Sequence, residues 1–590
     1  MSDFLQEGCA IRTAPQRPRN PPQASELSTM HHPISIQRAK RIAAFLFLSV
    51  AGALAAEENP YRYWPSYQKV PLTDYAEPTW TPHNTIATGW DFSLPPSVTV
   101  SPRSYLVFAR IFNLSKEPKL PPVRIKANPV LSIWVEWKEL EPERDRYDFE
   151  RLKSFIGLAA AAGYGVEIRP ITAIAARNGD RTRGSVPGYV TALGTPILND
   201  PPKKGDGISH YDPSHPDFHR RYMKLVQAFG KSGIPTNPTV KSIVVGYSSE
   251  TYGDEGIGDC SKQHVMERLD AWAHACQGVA GKVMMCGKSE YGFSKGFGFR
   301  DGMVEVYMYQ IPDAANGQFI DENGYLTTDE KAPIIAKGGL NGDENETYEE
   351  KMSFRFGPTT LFPYRYFSST LRAIQLRKNI ILLNDFSPIP DLTAYLSLEM
   401  GRTVKDTPDV WCLLRENQMQ PWSYNGRAKE MGYYGDFSTS RPVPCKNFER
   451  WLYQRDSEGY ETQAVLPIPT SPNHWMMAPG HDKDLIARAG TRIGFAVDDR
   501  FLPETPQSVT FKITFHDGVR GTMNLVYEGA SGRVQYPIIA TGNDVIRTAT
   551  VHTTVLFKAK GLAYDFEIHS PEKVPVSIVR VIRSPEKAKP

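Results

Sequence analysis

The chain has 590 residues, 41% of them hydrophobic and 23% charged, with a formal net charge of +3. That length exceeds one ordinary core and predicts at least two domains, and the composition excludes a disordered chain. A small charge spread along the sequence excludes a field that would steer the protein to nucleic acid or to an anionic membrane.

In chain order, the first signal is the apolar run at 42–53, preceded by Arg38, Lys40 and Arg41 and followed by Ala53-Leu54-Ala55. A run of that length between basic residues and a small-residue cleavage site predicts a secretory signal peptide rather than a membrane span. Met30 lies just upstream and is read as the start of translation, so 1–55 is expected to be leader and signal. The mature protein is then expected to be soluble, secreted or periplasmic, without membrane contact. Residues 56–103, rich in Pro, Tyr and Trp, predict an extended arm.

From 104 to 419, short apolar runs alternate with amphipathic stretches, which predicts βα units around a parallel sheet. The expected strands are 105–110, 130–136, 165–171, 241–247, 282–287, 303–309, 332–337 and 379–384. Helices are expected at 149–162, 217–230, 262–278 and 366–377. Eight strands at this spacing predict a (β/α)₈ TIM barrel, with a doubly wound open sheet as the alternative. Residues 420–480 predict a connecting region. From 481 to 590 short alternating strands without helices predict an all-β sandwich of jelly-roll type. Past Cys9, five cysteines remain (Cys260, Cys276, Cys286, Cys412 and Cys445), an odd number in no zinc or CxxC spacing. At most an optional disulfide is expected among them.

Barrel active sites lie at the C-terminal ends of the strands, and glycoside hydrolysis needs two carboxyl groups there. The segment LSIWVEWKELEPERDRYDF at 131–149 carries Trp137, Leu140, Glu141, Pro142, Glu143, Tyr147, Asp148 and Phe149. Tyr211-Asp212-Pro213, His215-Pro216 and the GYSSETYGDEG run into which the fourth strand leads extend it. This pattern resembles the clan A barrel glycoside hydrolases related to the family 42 β-galactosidases. The resemblance implies an acid/base glutamate after the fourth strand, where Glu250 stands, with Ser249 in place of the usual Asn. Glu255 is the alternative acid.

The nucleophile is expected after the seventh strand, at Glu344 or Glu346, with Asn341 and Asn345 able to bond sugar hydroxyls. Glu349 and Glu350 suit a solvated helix start. If the resemblance holds, the reaction retains configuration and runs through a covalent glycosyl-enzyme. Arg169 is either a cation beside the nucleophile or half of an internal salt bridge. Trp137, Tyr247 and Tyr309, at expected strand ends, are candidates for sugar subsites or for rim packing.

His210, His215 and His219 invite a metal reading, but no HExxH accompanies them and no metal is expected at the site. No nucleotide-binding motif appears, so no cofactor is expected. Asp498-Asp499-Arg500-Phe501 and Phe515-His516-Asp517-Gly518 leave calcium in the C-terminal domain open, although acidic turn residues are commonly just turn formers.

The sequence thus predicts an exported retaining hydrolase of β-linked poly- or oligosaccharide, with galactose as one option. The alternatives are a carbohydrate-binding barrel without turnover and an inverting hydrolase of β-amylase type. Sugar, linkage, endo or exo action and oligomeric state stay open.

Overall fold

The structure is a computed structural model. It describes residues 63, 70–71, 74–80, 84–198, 207–246, 260–286, 289–301, 318–321, 323–328, 330–336, 339–343, 362–383, 386–387, 389–418, 445–469, 483–557 and 563–584. Residues 1–55, expected to be leader and signal, lie outside them. Among the described residues no helix is long and apolar enough to cross a membrane.

Eight parallel strands close into a barrel in strict chain order. They are β1 (Tyr105–Ile111), β2 (Pro129–Glu136), β3 (Gly165–Ile171), β4 (Val240–Val245), β5 (Val283–Cys286), β6 (Gly298–Asp301), β7 (Asn341–Asp343) and β8 (Ile380–Leu382). Closure comes from β8 on β1, with Ile380 opposite Tyr105 and Leu382 opposite Val107. The fold class is therefore the TIM barrel, and the open-sheet alternative falls.

Six strands sit where the apolar runs place them, and two do not. The run expected as the seventh strand, 332–337, contains a helical turn, Pro333–Ala336. Proline at a first helical position has its φ already set and loses no hydrogen bond there. The seventh strand is instead the short Asn341–Asp343. The sixth is Gly298–Asp301, upstream of the expected 303–309, which lies outside the described residues.

The strands sort their side chains by parity. On β2, Leu131, Ile133 and Val135 face outward to the helices. There they meet α1 (Glu150–Ala161), α2 (Pro216–Lys231), α3 (Lys262–Ala275) and α4 (Phe362–Gln375). α1 ends against Gly163, whose φ of +79° only glycine adopts cheaply. Val107, Val130, Val244, Met284, Cys286, Ile380 and Leu382 fill the barrel interior.

Two antiparallel sheets follow. The larger has eight strands and runs Cys445–Arg450, Asp409–Gln418, Lys483–Ala489, Val576–Arg583, Gln507–His516, Ile546–Val555 and Thr85–Thr88, with Gln463–Pro469 paired to Lys483–Ala489. The smaller runs Leu452–Gln454, Arg492–Val497, Phe566–His569, Arg520–Gly529 and Gly532–Thr541. They share one core, in which Phe566 stacks on Phe495 and meets Phe511 edge-on, both at 4.9 Å. The large sheet is buried on both faces: Val410, Cys412 and Leu414 point into that core, while Trp411 and Leu413 join the core of the barrel. Arg580 locks the seam, its Nε 2.7 Å from Asp409, which also accepts from Tyr395 of the helix Pro390–Glu399. Cys276 and Cys412 are buried free thiols.

Candidate active site at the barrel mouth

A parallel barrel gathers the C-terminal ends of its strands at one face, so every loop that leaves a strand there can contribute chemistry. Inward-facing positions of β2, β3 and β4 build the floor. Glu167 is buried and accepts hydrogen bonds from Ser132 Oγ (2.8 Å), Arg169 Nε (2.7 Å) and Ser242 Oγ (3.3 Å). Glu167 and Arg169 are two residues apart on β3, so both point inward, and each side chain is only 2% exposed. Arg169 thus makes an internal salt bridge with Glu167.

Above that pair, the Arg169 guanidinium lies 4.9 Å from the ring of Trp134, whose indole N–H donates to Ser132. Trp134 in turn contacts Phe112, just past the end of β1, with ring centroids 5.1 Å apart. Phe112 is 57% exposed, the most exposed large hydrophobic side chain among the described residues. An aromatic ring at a barrel mouth is a surface on which the C–H face of a sugar packs. Sequence reading passed over Phe112 because it closes an apolar run and looks like one more core residue.

At the end of β2, Glu136 is held by Lys138 (2.9 Å) and by Arg177 (3.2 Å). Arg177 belongs to a three-stranded sheet, Ile174–Arg177, Ile208–Tyr211 and Ile197–Leu198, inserted after β3. One wall of the mouth is therefore structured, and it is tied to the barrel through a carboxylate.

Two expected substrate contacts are corrected. Trp137 does not sit on a strand; it opens the helical turn Trp137–Leu140 and is fully buried, edge-on to Phe218 and donating to Glu141 at 2.8 Å. A fully buried indole offers no face to a sugar. Asn341 is the first residue of β7, so it lies at the N-terminal face of the barrel, opposite the mouth. There its amide donates to Leu376 O and its main-chain N–H to Asn379 Oδ1, both at 2.9 Å.

The Leu-Glu-Pro-Glu stretch proves to be a brace. Glu141 is completely buried, accepts from Asp145 N at 2.8 Å and pairs with Arg221 of α2. Arg221 reaches Asp145 as well, at 2.7 Å, and lies over the ring of Tyr189. This network ties the β2 loop to α2 on the outside of the barrel.

Glu250, Glu255, Glu344, Glu346, Tyr247 and Tyr309 lie outside the described residues. The strand ends fix their place in the sequence: β4 ends at Val245, and Glu344 is the residue after the end of β7 at Asp343. In sequence, the carboxylates therefore follow β4 and β7.

Of the three histidines with metal-like spacing, His219 alone joins a cluster with ligand geometry, with His264 and Glu267 on α3. Its Nε2 is 2.8 Å from Glu267, its ring stacks on His264 at 4.0 Å, and Arg268 Nε approaches Nδ1 at 3.4 Å. Donation by Arg268 leaves the proton on Nε2, where Glu267 accepts it, so both ring nitrogens are satisfied within the protein. Burial, and then the Arg268 charge, hold the imidazole pKa below its usual value. In the sheets, Asp498 is forked by Arg500, and Asp517 accepts from Thr541, Gly542 and Arg547.

No family model matches the chain, and no curated protein matches it. Similar solved structures include a glycosylated family 10 endo-β-1,4-xylanase from Gloeophyllum trabeum, at 8% identity and TM-score 0.29, over 51% of this chain and 97% of that one. Native xylanase 10B from Thermotoga maritima matches at 10% and 0.26, over 50% and 94%. The catalytic domain of a β-amylase from Paenibacillus polymyxa matches at 11% and 0.27, over 50% and 97%. The barrel assignment rests on the strand pairing above, not on these low scores.

Proposed function

We propose that the protein is a glycoside hydrolase acting on a β-linked poly- or oligosaccharide, exported to the periplasm or the medium. One observation carries the reading: in a closed parallel barrel β4 and β7 end at the same face, and the two Glu-bearing stretches follow them in sequence. Glu250 is the acid/base, with Glu255 as its alternative, and Glu344 or Glu346 is the nucleophile. In the retaining mechanism the two carboxyl groups stand roughly 5–5.5 Å apart, and an inverting enzyme needs a wider gap that admits water. Phe112 is the platform for a sugar ring, and a galactose-containing chain is the first substrate to try.

The deciding experiment is hydrolysis of a panel of plant and algal polysaccharides by the wild type and by Glu250→Gln. An acid/base role predicts at least a ~100-fold loss of turnover with sugar binding retained. Equal turnover by the two proteins would remove Glu250 from the chemistry. Sugar binding without turnover in the wild type would make the barrel a binder. The anomer released, followed by NMR, separates retention from the inversion expected of a β-amylase-like site.

A further inference from the structure

At the opposite, N-terminal face of the barrel lies a cavity of about 370 Å³, bordered by Asn341 at the start of β7 and by Lys378 and Asn379 just before β8. Its walls are cationic. Arg377, Lys378, Arg402, Lys405, Arg450 and Arg500 all line it, and among the described residues Glu330 is the single carboxylate in its lining.

Glu330 is already engaged, by Arg377 Nη2 at 3.0 Å and by the Trp451 indole N–H at 2.9 Å. The Trp451 ring carries two guanidiniums, Arg377 at 4.2 Å and Arg450 at 4.7 Å. Arg402 gives its hydrogen bonds to the main-chain carbonyls of Leu398, Asp406 and Thr99, which balance no charge. The Nε groups of Arg377 and Arg450 are buried and meet no acceptor among the described residues. Arg450 does pair with Glu399, but that carboxyl is pushed up to about 8, chiefly by burial and then by Asp409, which weakens its use as a counter-charge.

Arg500 is paired with Asp498 at 2.8 Å, so the excess of positive charge lies with the rest of the lining, where guanidinium N–H groups that meet no acceptor favour an oxyanion. The volume equals that of about ten waters, ample for a tetrahedral anion with part of its hydration. We propose that this cavity binds a small multivalent oxyanion, phosphate or sulfate, either free or as an ester on a larger molecule. It would neutralise the seam between the barrel and the large sheet.

The test is equilibrium dialysis of the whole protein with labelled inorganic phosphate at fixed ionic strength, with sulfate and chloride as competitors. One saturable site per chain is expected, displaced by sulfate and not by chloride, with melting temperature rising in parallel. Lys405 and Arg500 are exposed, so the double variant Lys405→Glu/Arg500→Glu is expected to fold, and it should weaken phosphate at least ~10-fold. Arg377→Met should abolish binding, but its buried position makes it the secondary variant. Comparing phosphate with a sugar phosphate tells a free anion from an ester. No saturable binding of phosphate or sulfate by ~10 mM, or binding unchanged in the double variant, overturns the assignment. Glu250→Gln should leave anion binding intact, so failure here and failure of the hydrolase reading are read separately.

Discussion

Replacing Glu141 by Leu decides whether the Leu-Glu-Pro-Glu stretch is structure or chemistry. The carboxylate is fully buried and accepts from the Trp137 indole, from the Asp145 amide and from the Arg221 guanidinium. Its loss leaves Arg221, 4% exposed, with Asp145 at 2.7 Å and the Tyr189 hydroxyl at 3.0 Å. Breaking one side of a buried ion pair costs about 3–5 kcal/mol. Because Asp145 keeps part of the compensation, the lower end, about 3 kcal/mol, is expected in a urea titration at unchanged m-value. The double variant Glu141→Leu/Arg221→Met removes both charges and should regain most of that loss, giving a coupling energy of about 2 kcal/mol. Turnover per folded molecule should not change. A single variant costing under ~1 kcal/mol, or costing the same with Arg221 already replaced, would refute the brace. Full stability with lost turnover would return the segment to the active site.

Further predictions address the seam, the barrel and the sheets. Burial and the nearby Asp409 raise the Glu399 carboxyl from 4.5 to about 8, with Arg450, Arg402 and Arg580 opposing. Between those two values the folded chain holds a proton that the unfolded chain has lost, so stability falls as pH rises through that window. Glu399→Gln should flatten this part of a melting-temperature profile, and an unchanged slope would assign it elsewhere. Gly298→Ala would put a Cβ 1.9 Å from Leu340 O, the atom that accepts the Phe299 N–H. Since both groups are main chain, relief must come from the β6–β7 pairing, at about 3 kcal/mol or more in chemical denaturation. Phe566→Ala, at the centre of the three-ring contact with Phe495 and Phe511, should cost about 3–5 kcal/mol while sparing the barrel. Phe112→Ala should raise KM for an oligosaccharide substrate by at least ~5-fold with stability unchanged, because the ring is already exposed.

The barrel was legible where a strand is a long apolar run. Strands such as VLSIWVE must be buried on both faces, and their parity then follows from geometry. Two strands escaped for a physical reason. GFRD and NGD are short and begin with Gly or Asn, so pairing with neighbours makes them strands, not their own propensity. The apolar PIIA between them is ambiguous at four residues and becomes a helical turn. The same limit applies to the floor of the mouth. Glu167 and Arg169 alternate with apolar residues on β3, and nothing local says that their partners are Ser132 and Ser242. Glu141 carries no local mark of its structural role either, which shows only in its burial beside Arg221. The cationic cavity escaped altogether, since its residues come from segments far apart in the sequence.

The edge strand Thr85–Thr88 pairs with Ile546–Val555, Thr85 lying opposite Thr550. A segment made before the first barrel strand therefore finds its place only once Ile546–Val555 has left the ribosome. Until then its unpaired main-chain groups must be shielded by something else, and the large sheet lacks its last member. No single cut can release the barrel as a self-sufficient piece: truncation after the eighth βα unit strands this ribbon, and removal of the N-terminal segment bares an edge on the other side. The chain is built as one belt, with this strand pair as its buckle.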